Sequence, residues 1–185
     1  MIVYKLNEKT KNIIKDEIEV GAVFVYPTDT IYGIGCNALD SFAVKQIRKI
    51  KQRDEKPFSV IAPSKEWIIE NCIVEDKYKK YLNKLPGPYT LIFRIRKKDA
   101  IVREVSKGTL GVRIPNHWIS EFVRELGFPV VTTSLNKSGE KPLTKISEIP
   151  KKMASKIDFA IDEGELNGKP SRVIGLTGKK AIILR

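Results

Sequence analysis

The sequence predicts a single α/β domain in which a twisted mixed sheet is flanked by helices. Short apolar runs alternate with amphipathic segments, which is the pattern of α/β proteins. Several apolar runs follow one another without a helix between them, so we expect both parallel and antiparallel strand pairs. The chain has 185 residues, 42% of them hydrophobic, which is enough for a buried core. We therefore expect one domain over 1–185, with about seven strands and four or five helices.

The first third of the chain predicts a buried strand, a helix and a second strand. The run at 21–27 is almost wholly apolar and predicts a strand inside the sheet. Asp40 or Ser41 can cap a helix that runs to residue 51, because the apolar residues after them recur at helical spacing. The apolar run at 57–62 predicts the next strand.

The middle of the chain predicts two more helices and two more strands. Ser64 can cap a helix, and the amphipathic segment 75–85 predicts another, which Pro86 ends. The segment 89–96 alternates between apolar and polar residues, as a strand with one polar face does. A further strand is expected over 109–115, after a glycine turn.

The last third of the chain predicts a helix and four strands. The segment 118–126 has helical spacing and is followed by Gly127, a residue that favours the end of a helix. The very apolar run 128–134 predicts a strand that leads into a polar loop. The remaining predicted strands are 157–162, 171–176 and 180–185.

The net charge of the chain indicates an anionic partner. Lys and Arg number 34 against 22 Asp and Glu, a formal charge of +12. A field of that sign attracts nucleic acid, nucleotides or phosphorylated metabolites. The alternative is a lysine-rich surface that only keeps the protein in solution.

Other features of the composition exclude several classes of protein. No run of about 18 apolar residues exists, so we expect no membrane helix. The first 19 residues are too charged for a signal peptide, and we expect a cytoplasmic protein. Cys36 and Cys72 form neither a disulfide framework nor a metal-ligand pattern. His117 is the single histidine, so a site with several histidine ligands is excluded.

The segment 33–38 matches the glycine pattern G-x-G-x-x-A of dinucleotide-binding folds. Its context argues against dinucleotide binding, because five residues separate the pattern from the preceding strand and no ribose-binding acid follows the next strand. No G-x-x-x-x-G-K-[ST] motif is present, which excludes a P-loop.

Two groups of polar residues are candidate ligand contacts near the first strands. Thr28, Asp29 and Thr30 lie where a buried strand leaves the core, a common place for ligands. The alternative is a local turn in which Asp29 bonds its own backbone. Lys51 and Arg53, with Lys56 after them, place cations at a helix end, either to complement the helix dipole or to clamp phosphate or carboxylate.

Three further positions are candidates in the second half. Arg113 lies inside an apolar strand and needs an anion, which we expect to be a ligand carboxylate rather than a structural salt bridge. The segment 132–139 is rich in hydroxyl and amide groups and resembles either an oxygen-rich ligand cradle or an ordinary strand exit. For His117, near a helix start, we expect a capping or surface role rather than catalysis.

Taken together, these segments resemble the YrdC-like family of threonylcarbamoyl-adenylate synthases. The order and spacing of the motifs hold from about residue 10 to residue 185. The matching segments are 27–36, 51–53, 56–57, 86–90, 111–115, 133–139, 170–174 and 183–185.

The resemblance implies a reaction and a fold. L-threonine, bicarbonate and ATP, with Mg²⁺ entering alongside ATP, would give threonylcarbamoyl-AMP and pyrophosphate. A downstream transferase machinery would move the threonylcarbamoyl group to the adenosine next to the anticodon of certain tRNAs. The implied fold is one α/β domain around a basic cavity, and the chain resembles the short, single-domain form of the family.

The resemblance also implies roles for individual residues. Lys51 and Arg53 would be catalytic, and no protein residue would be a metal ligand. The threonine contacts would be Thr30, Arg113, Thr133 and Ser171. The ATP contacts would be Arg53, Lys56, Thr109, Ser134, Leu135 through its backbone, Asn136 and Arg185.

The sequence departs from the family pattern at three places. Asp54 stands where the family usually has proline, and Arg172 and Gly175 replace a usual threonine and aspartate. The residue at Leu143 or Thr144, which often contacts nucleotide, has no assigned contact. The alternatives are a non-catalytic paralogue that binds double-stranded RNA or nucleotide on the same fold, and a carbamoyl-transfer enzyme that contains this domain among others.

Overall fold

The computed structural model describes residues 1–53, 56–137 and 139–185. Asp54, one of the family departures, and Ser138, in the polar segment after the strand at 128–134, lie outside the described residues. Within those ranges the strands are β1 (Ile2–Tyr4), β2 (Phe24–Tyr26), β3 (Gly33–Gly35), β4 (Ser59–Ile61), β5 (Cys72–Ile73), β6 (Tyr89–Ile95), β7 (Thr109–Arg113), β8 (Val130–Ser134), β9 (Phe159–Ile161), β10 (Arg172–Gly175) and β11 (Ile182–Ile183). The α-helices are α1 (Glu8–Glu19), α2 (Ser41–Lys51), α3 (Lys65–Asn71), α4 (Trp118–Leu126) and α5 (Lys151–Ala154).

These strands form one mixed sheet in the order β1-β9-β2-β3-β8-β4-β7-β6-β10-β11, with β5 paired to β6. Four pairs are parallel: β1 with β9, β2 with β9, β4 with β7, and β6 with β10. The other pairs are antiparallel, for example β3 with β8 and β6 with β7. The predicted mixed sheet is therefore confirmed.

The sheet is covered on both faces because neighbouring residues of a strand point to opposite sides. Val25 of β2 packs into the larger apolar cluster, which α2 and α3 cover. Phe24 and Tyr26, its neighbours, pack into the second cluster with α1 and α4. The predicted flanking of the sheet by helices is therefore confirmed. No helix in these described ranges is both long and apolar enough to cross a membrane.

The predicted helix ends are found with their capping contacts. The Asp40 side chain accepts hydrogen bonds from the Phe42 and Ala43 amides, so Asp40 rather than Ser41 is the N-cap of α2. The Ser64 hydroxyl accepts from the Trp67 amide at 3.1 Å at the start of α3. Gly127 ends α4 in the left-handed conformation, with φ of 75°. These contacts define where α2 and α3 begin and where α4 ends.

Several elements differ from the sequence-based expectation. The segment expected as an amphipathic helix over 75–85 is a 3-10 helix, Asp76–Lys84. The sequence pattern did not predict the helix type, because burial of one face does not distinguish i+3 from i+4 hydrogen bonding. Helix α1 was not expected, although its N-cap Asn7 and Thr10 form a reciprocal capping box. The run expected as a strand over 180–185 is a shorter strand, Ile182–Ile183, although Leu184 and Arg185 also form backbone hydrogen bonds with Val173 of β10.

The glycines of β3 allow two strands to approach closely. A Cβ atom on Gly35 would lie 2.2 Å from the Val131 carbonyl oxygen of β8. Gly35→Ala is therefore expected to lower the free energy of unfolding by roughly 1–3 kcal/mol through overpacking. The matched control is Gly178→Ala, where the nearest atom would be 3.8 Å away and the change should stay within about 0.5 kcal/mol. Urea denaturation measures both, and equal stability of the two variants would contradict the close approach.

Candidate functional site

A cavity of about 780 Å³ opens on the face of the sheet that carries the polar motifs. Thr109, Gly111 and Arg113, alternate residues of β7, line it, while Leu110 and Val112 between them are in the core. A volume of this size lies in the range of small-molecule and cofactor sites. The ionisable Lys, Arg and Glu side chains in its described lining are Lys51, Arg53, Lys56, Arg113, Arg185 and Glu140.

The cavity lining contains ten of the twelve residues predicted for the site. They are Lys51, Arg53, Lys56, Thr109, Arg113, Thr133, Ser134, Asn136, Ser171 and Arg185. The other two, Thr30 and Leu135, are buried behind it. Residues far apart in sequence thus meet at one site.

Arg113 is a buried cation at the end of β7. Its Nη2 atom donates to Asp29 Oδ1 at 2.6 Å and lies 3.4 Å from the Thr30 hydroxyl. Its Nε atom is buried without a hydrogen-bond partner, and Nη1 has no partner among the described residues. Burial lowers the pKa of Arg113, and the Asp29 charge opposes that effect. The guanidinium therefore has both a structural salt bridge and donor groups left for a ligand.

The turn after β2 is held by a hydroxyl rather than by a carboxylate. The Thr28 hydroxyl donates to the Ile31 carbonyl at 2.7 Å, and the Thr30 and Ile31 amides donate to it. The alternative of a local turn in which Asp29 bonds its own backbone is wrong, because Asp29 has other partners. It accepts from Arg113 and, through Oδ2, from the Asn116 amide at 2.9 Å.

Lys51 is the last residue of α2 and is only 2% exposed. Its Nζ atom donates to the carbonyl oxygens of Ser134 and Asn136 and to Asn136 Oδ1, the longest of the three bonds being 2.6 Å. An ammonium has three protons, so these acceptors use all of them. Burial, with a contribution from the Arg53 charge, lowers the pKa of Lys51 to about 8. Lys51 thus places a buried positive charge beneath the loop that follows β8.

Arg53 lies at the rim, in the loop between α2 and β4. Its guanidinium donates to the carbonyls of Lys56 and Pro57 and lies over the Phe58 ring, 5.0 Å from the centroid. Burial and the Arg48 charge lower the pKa of Arg53. Lys56 is exposed beside it. Both side chains line the cavity, so their position is compatible with the ligand clamp, which stays a prediction.

Hydroxyl groups form the wall next to Arg113. The Ser171 and Thr90 hydroxyls are 2.8 Å apart and both residues are buried. The Arg185 Nε atom donates to the Ser171 carbonyl at 3.2 Å, so the C-terminal residue is tied to the same wall. Arg172, a departure from the family pattern, is exposed, and the residue after it, Val173, lines the cavity.

Thr30 and Leu135 support the cavity from behind. The Thr30 hydroxyl is 2.9 Å from that of Thr28. The Leu135 amide donates to the Tyr32 carbonyl, and its own carbonyl accepts from the Leu143 amide. Both backbone groups of Leu135 therefore already have protein partners in the ligand-free chain, and the side chain is in the core.

Some lining residues were not predicted. Thr90, Ser59 and Gly111 line the cavity, and a Cβ atom on Gly111 would lie 2.4 Å from the Ser59 hydroxyl oxygen. The glycine therefore preserves open space beside a hydroxyl. Two signals in the sequence pointed to two of them: the family-matching segments 86–90 and 111–115 contain Thr90 and Gly111, and a glycine inside an otherwise apolar strand often marks a close approach of ligand or backbone.

The structure also places two other features that the sequence analysis considered. His117 occupies the N-cap position of α4, where its side chain makes no capping hydrogen bond, and it is not among the residues that line the cavity. Its Nε2 atom is 3.1 Å from Glu163, which also accepts from Trp118. The glycine pattern at 33–38 begins with strand β3 itself and not with a phosphate-binding loop, as its context indicated.

The described residues contain no cluster of three or more His, Cys, Asp or Glu side chains that could hold a metal ion. Both cysteines are buried and unpaired, and burial raises the pKa of each thiol, that of Cys72 to about 12. Thiolate chemistry at these positions is therefore disfavoured.

The fold and site define a class: a mixed-sheet α/β protein with a polar cavity whose lining includes a buried arginine together with Lys51, Arg53, Lys56 and Arg185. The chain belongs to the Sua5/YciO/YrdC family, described as telomere recombination, whose sequence profile matches residues 16–185. The resemblance inferred from the motifs is thereby confirmed.

Individual relatives agree with this assignment. A protein of Methanocaldococcus jannaschii, provisionally named threonylcarbamoyl-AMP synthase, is 39% identical over 191 residues, which cover 99% of this chain and 90% of the relative. The crystal structure of Pyrococcus abyssi Sua5 complexed with L-threonine has a TM-score of 0.87 and 31% identity, covering 100% of this chain and 56% of that one. The structure of Escherichia coli YciO also has a TM-score of 0.87, with 28% identity, covering 100% and 92%.

Proposed function

We propose that this protein is a threonylcarbamoyl-AMP synthase, which converts L-threonine, bicarbonate and ATP into threonylcarbamoyl-AMP and pyrophosphate. The observation that carries the proposal is the buried Arg113, with a guanidinium edge free, in one cavity with Lys51 and Arg53. The synthase name of the relatives and the threonine-bound fold of Sua5 support the same substrate set.

The amino-acid end of the site is built around Arg113. A threonine carboxylate would accept from its free guanidinium donors, which would direct the amine into the cavity. Thr133 and Ser171, with Thr30 behind them, supply hydroxyl groups for the rest of the amino acid. Held in this way, the amine is presented to bicarbonate-derived carbon, and a carbamate forms with loss of water.

The nucleotide end is built from the cations of the rim and the loop after β8. Arg53 and Lys56 would contact the phosphates, which carry the charge that these cations complement. The remaining nucleotide contacts proposed are Thr109, Ser134, Leu135 through its backbone, Asn136 and Arg185. For Leu135 the contact would use the second lone pair of the carbonyl oxygen, because its amide already donates to Tyr32. Mg²⁺ would enter as the counter-ion of ATP, coordinated by phosphate oxygens.

The chemical step needs positioned charge and no protein nucleophile. The carbamate oxygen attacks the α-phosphorus, the new P–O bond forms, and the bond to pyrophosphate breaks with its electrons leaving on the pyrophosphate oxygen. Negative charge grows on the phosphoryl oxygens and on the leaving group. Cations fixed before the reaction, such as Lys51 and Arg53, stabilise that charge without reorganisation.

The product is a reactive mixed anhydride, so a consuming reaction must follow. We propose that a tRNA threonylcarbamoyltransferase machinery takes the product in the cytoplasm, and that tRNA or double-stranded RNA is a further partner. The formal charge of +12 favours such encounters.

The proposal is tested by measuring pyrophosphate release from MgATP and bicarbonate with and without L-threonine. We expect release that depends on threonine, and threonylcarbamoyl-AMP in the same reaction by mass spectrometry. L-serine in place of threonine is the specificity control, where one methyl group is worth only about 10–200-fold. No pyrophosphate release with or without threonine, together with RNA binding at physiological salt, would favour the non-catalytic paralogue instead.

A further inference from the structure

We propose that Asp29 is a positioning residue for Arg113, and that it acts on the threonine carboxylate through the guanidinium. Asp29 is absent from the cavity lining, so it does not face the ligand. The inference rests on the function proposed above and adds a residue to the amino-acid end of the site.

Among the residues that the structure describes, the charged group that Asp29 contacts is Arg113. Asp29 Oδ1 accepts from Arg113 Nη2 at 2.6 Å, and the two side chains are 11% and 7% exposed. Asp29 Oδ2 accepts from the Asn116 amide at 2.9 Å. Each carboxylate oxygen thus has one fixed donor, and the carboxylate cannot rotate without losing one of them.

This arrangement orients the guanidinium. Because a guanidinium is planar, holding Nη2 on a fixed carboxylate also fixes the direction of its other N–H groups. The free Nη1 group belongs to a side chain that lines the cavity, whereas Nε is enclosed. Asp29 therefore decides which donors a ligand carboxylate meets.

Charge gives a second reason for the role. Burial disfavours the charged form of Arg113, and Asp29 is the nearest opposing charge. The Asp29 carboxylate offsets the cost of burying that charge before any ligand binds, so the guanidinium stays charged and fixed in place. An asparagine would keep the shape but would lose the charge and would point an NH₂ group at either Nη2 or the Asn116 amide.

The test is Asp29→Asn, followed by steady-state kinetics for each substrate. We expect the KM for threonine to rise at least tenfold, while kcat and the KM for ATP change less than threefold. A purely structural role would lower the amount of folded enzyme and would leave the KM for threonine unchanged. The matched control is Glu125→Gln, which breaks the more exposed ion pair with Lys11 and should leave kcat and the KM values for threonine and ATP unchanged.

A double-mutant cycle separates action through Arg113 from an independent effect. If Asp29 works through the guanidinium, Asp29→Asn should add less than twofold to the threonine defect of Arg113→Ala. Asp29→Glu keeps the charge and should give an intermediate KM, which provides a second variant should the asparagine form fold poorly. Additive effects, or a KM for ATP that rises as much as that for threonine, would overturn the inference.

The outcome also distinguishes this inference from the proposed function. Should wild-type protein show no saturation by threonine, the proposed function fails and the role of Asp29 with it. Should wild type saturate normally and Asp29→Asn show the same KM for threonine, the positioning role alone fails.

Discussion

Arg113→Ala is expected to lower kcat/KM for threonine by at least about 100-fold, the largest single-residue effect in the site. Truncating one partner of a buried, hydrogen-bonded charge pair typically costs about 2–5 kcal/mol. Here the change removes the donor for the ligand carboxylate and also leaves Asp29 buried without its cation. Steady-state kinetics with threonine varied at saturating ATP measures the effect.

Arg113→Lys tests whether charge or shape carries the binding. Lysine keeps the positive charge but replaces the planar fork with a single ammonium, which cannot hold Asp29 and a ligand carboxylate in fixed directions together. We expect a loss of at least tenfold in kcat/KM for threonine, with the KM for ATP within threefold of wild type. A lysine variant with wild-type kinetics would contradict the proposed contact.

The position of Arg113 shows how far sequence reasoning reaches. An arginine inside an apolar strand predicts an anionic partner, and the structure contains one. That partner is Asp29, which is 84 residues away in the chain, and no local pattern connects the two. The expected ligand carboxylate and the structural salt bridge were posed as alternatives, yet the guanidinium has enough donors for both.

Lys51 illustrates the opposite limit. Its place at the end of α2 was predictable from apolar spacing and from the Asp40 cap. Its burial was not, because the loop after β8 covers it only once β8 has paired with β3 and β4, which lie far from it in the chain. A three-residue strand such as β3, Gly-Ile-Gly, has little β-propensity of its own, and its neighbours in the sheet determine its conformation.

The elements with strong local signals were the ones predicted. Apolar runs that cross the core became β2, β4, β6, β7 and β8, because burial and register act on every residue of such a run. Capping side chains fixed the starts of α2 and α3. The 3-10 helix Asp76–Lys84 depends on tertiary anchors, such as the bond from the Tyr78 hydroxyl to the Gly178 carbonyl, which short-range patterns do not contain.

Lys51→Met is expected to lower kcat at least tenfold while the KM for threonine stays within threefold of wild type. Methionine keeps the apolar stem, removes the positive charge and leaves the backbone carbonyl oxygens of Ser134 and Asn136 without the lysine donor. The loss should appear in turnover, since the charge is needed most as pyrophosphate departs. A kcat above one tenth of the wild-type value would count against a catalytic role for Lys51.

The pH dependence of the wild-type enzyme supplies an independent test of the same residue. The pKa of Lys51 is lowered to about 8 in the folded protein from its ordinary 10.5. Between those values the unfolded chain binds more protons, so stability should rise with pH by up to roughly 3 kcal/mol. This cost of burying the charged amine is fully present below pH 8, and it should be absent from Lys51→Met at every pH.

Activity should respond in the opposite direction, because catalysis uses the charged amine that destabilises the fold. The kcat/KM for ATP, which reports the free enzyme, should fall above an apparent pKa near 8. Bound phosphates favour the ammonium, so the corresponding limb of kcat should lie at higher pH. In Lys51→Arg the guanidinium stays protonated, and the residual activity should lose the limb near pH 8. A limb that persists there in the arginine variant would assign the titration to another group.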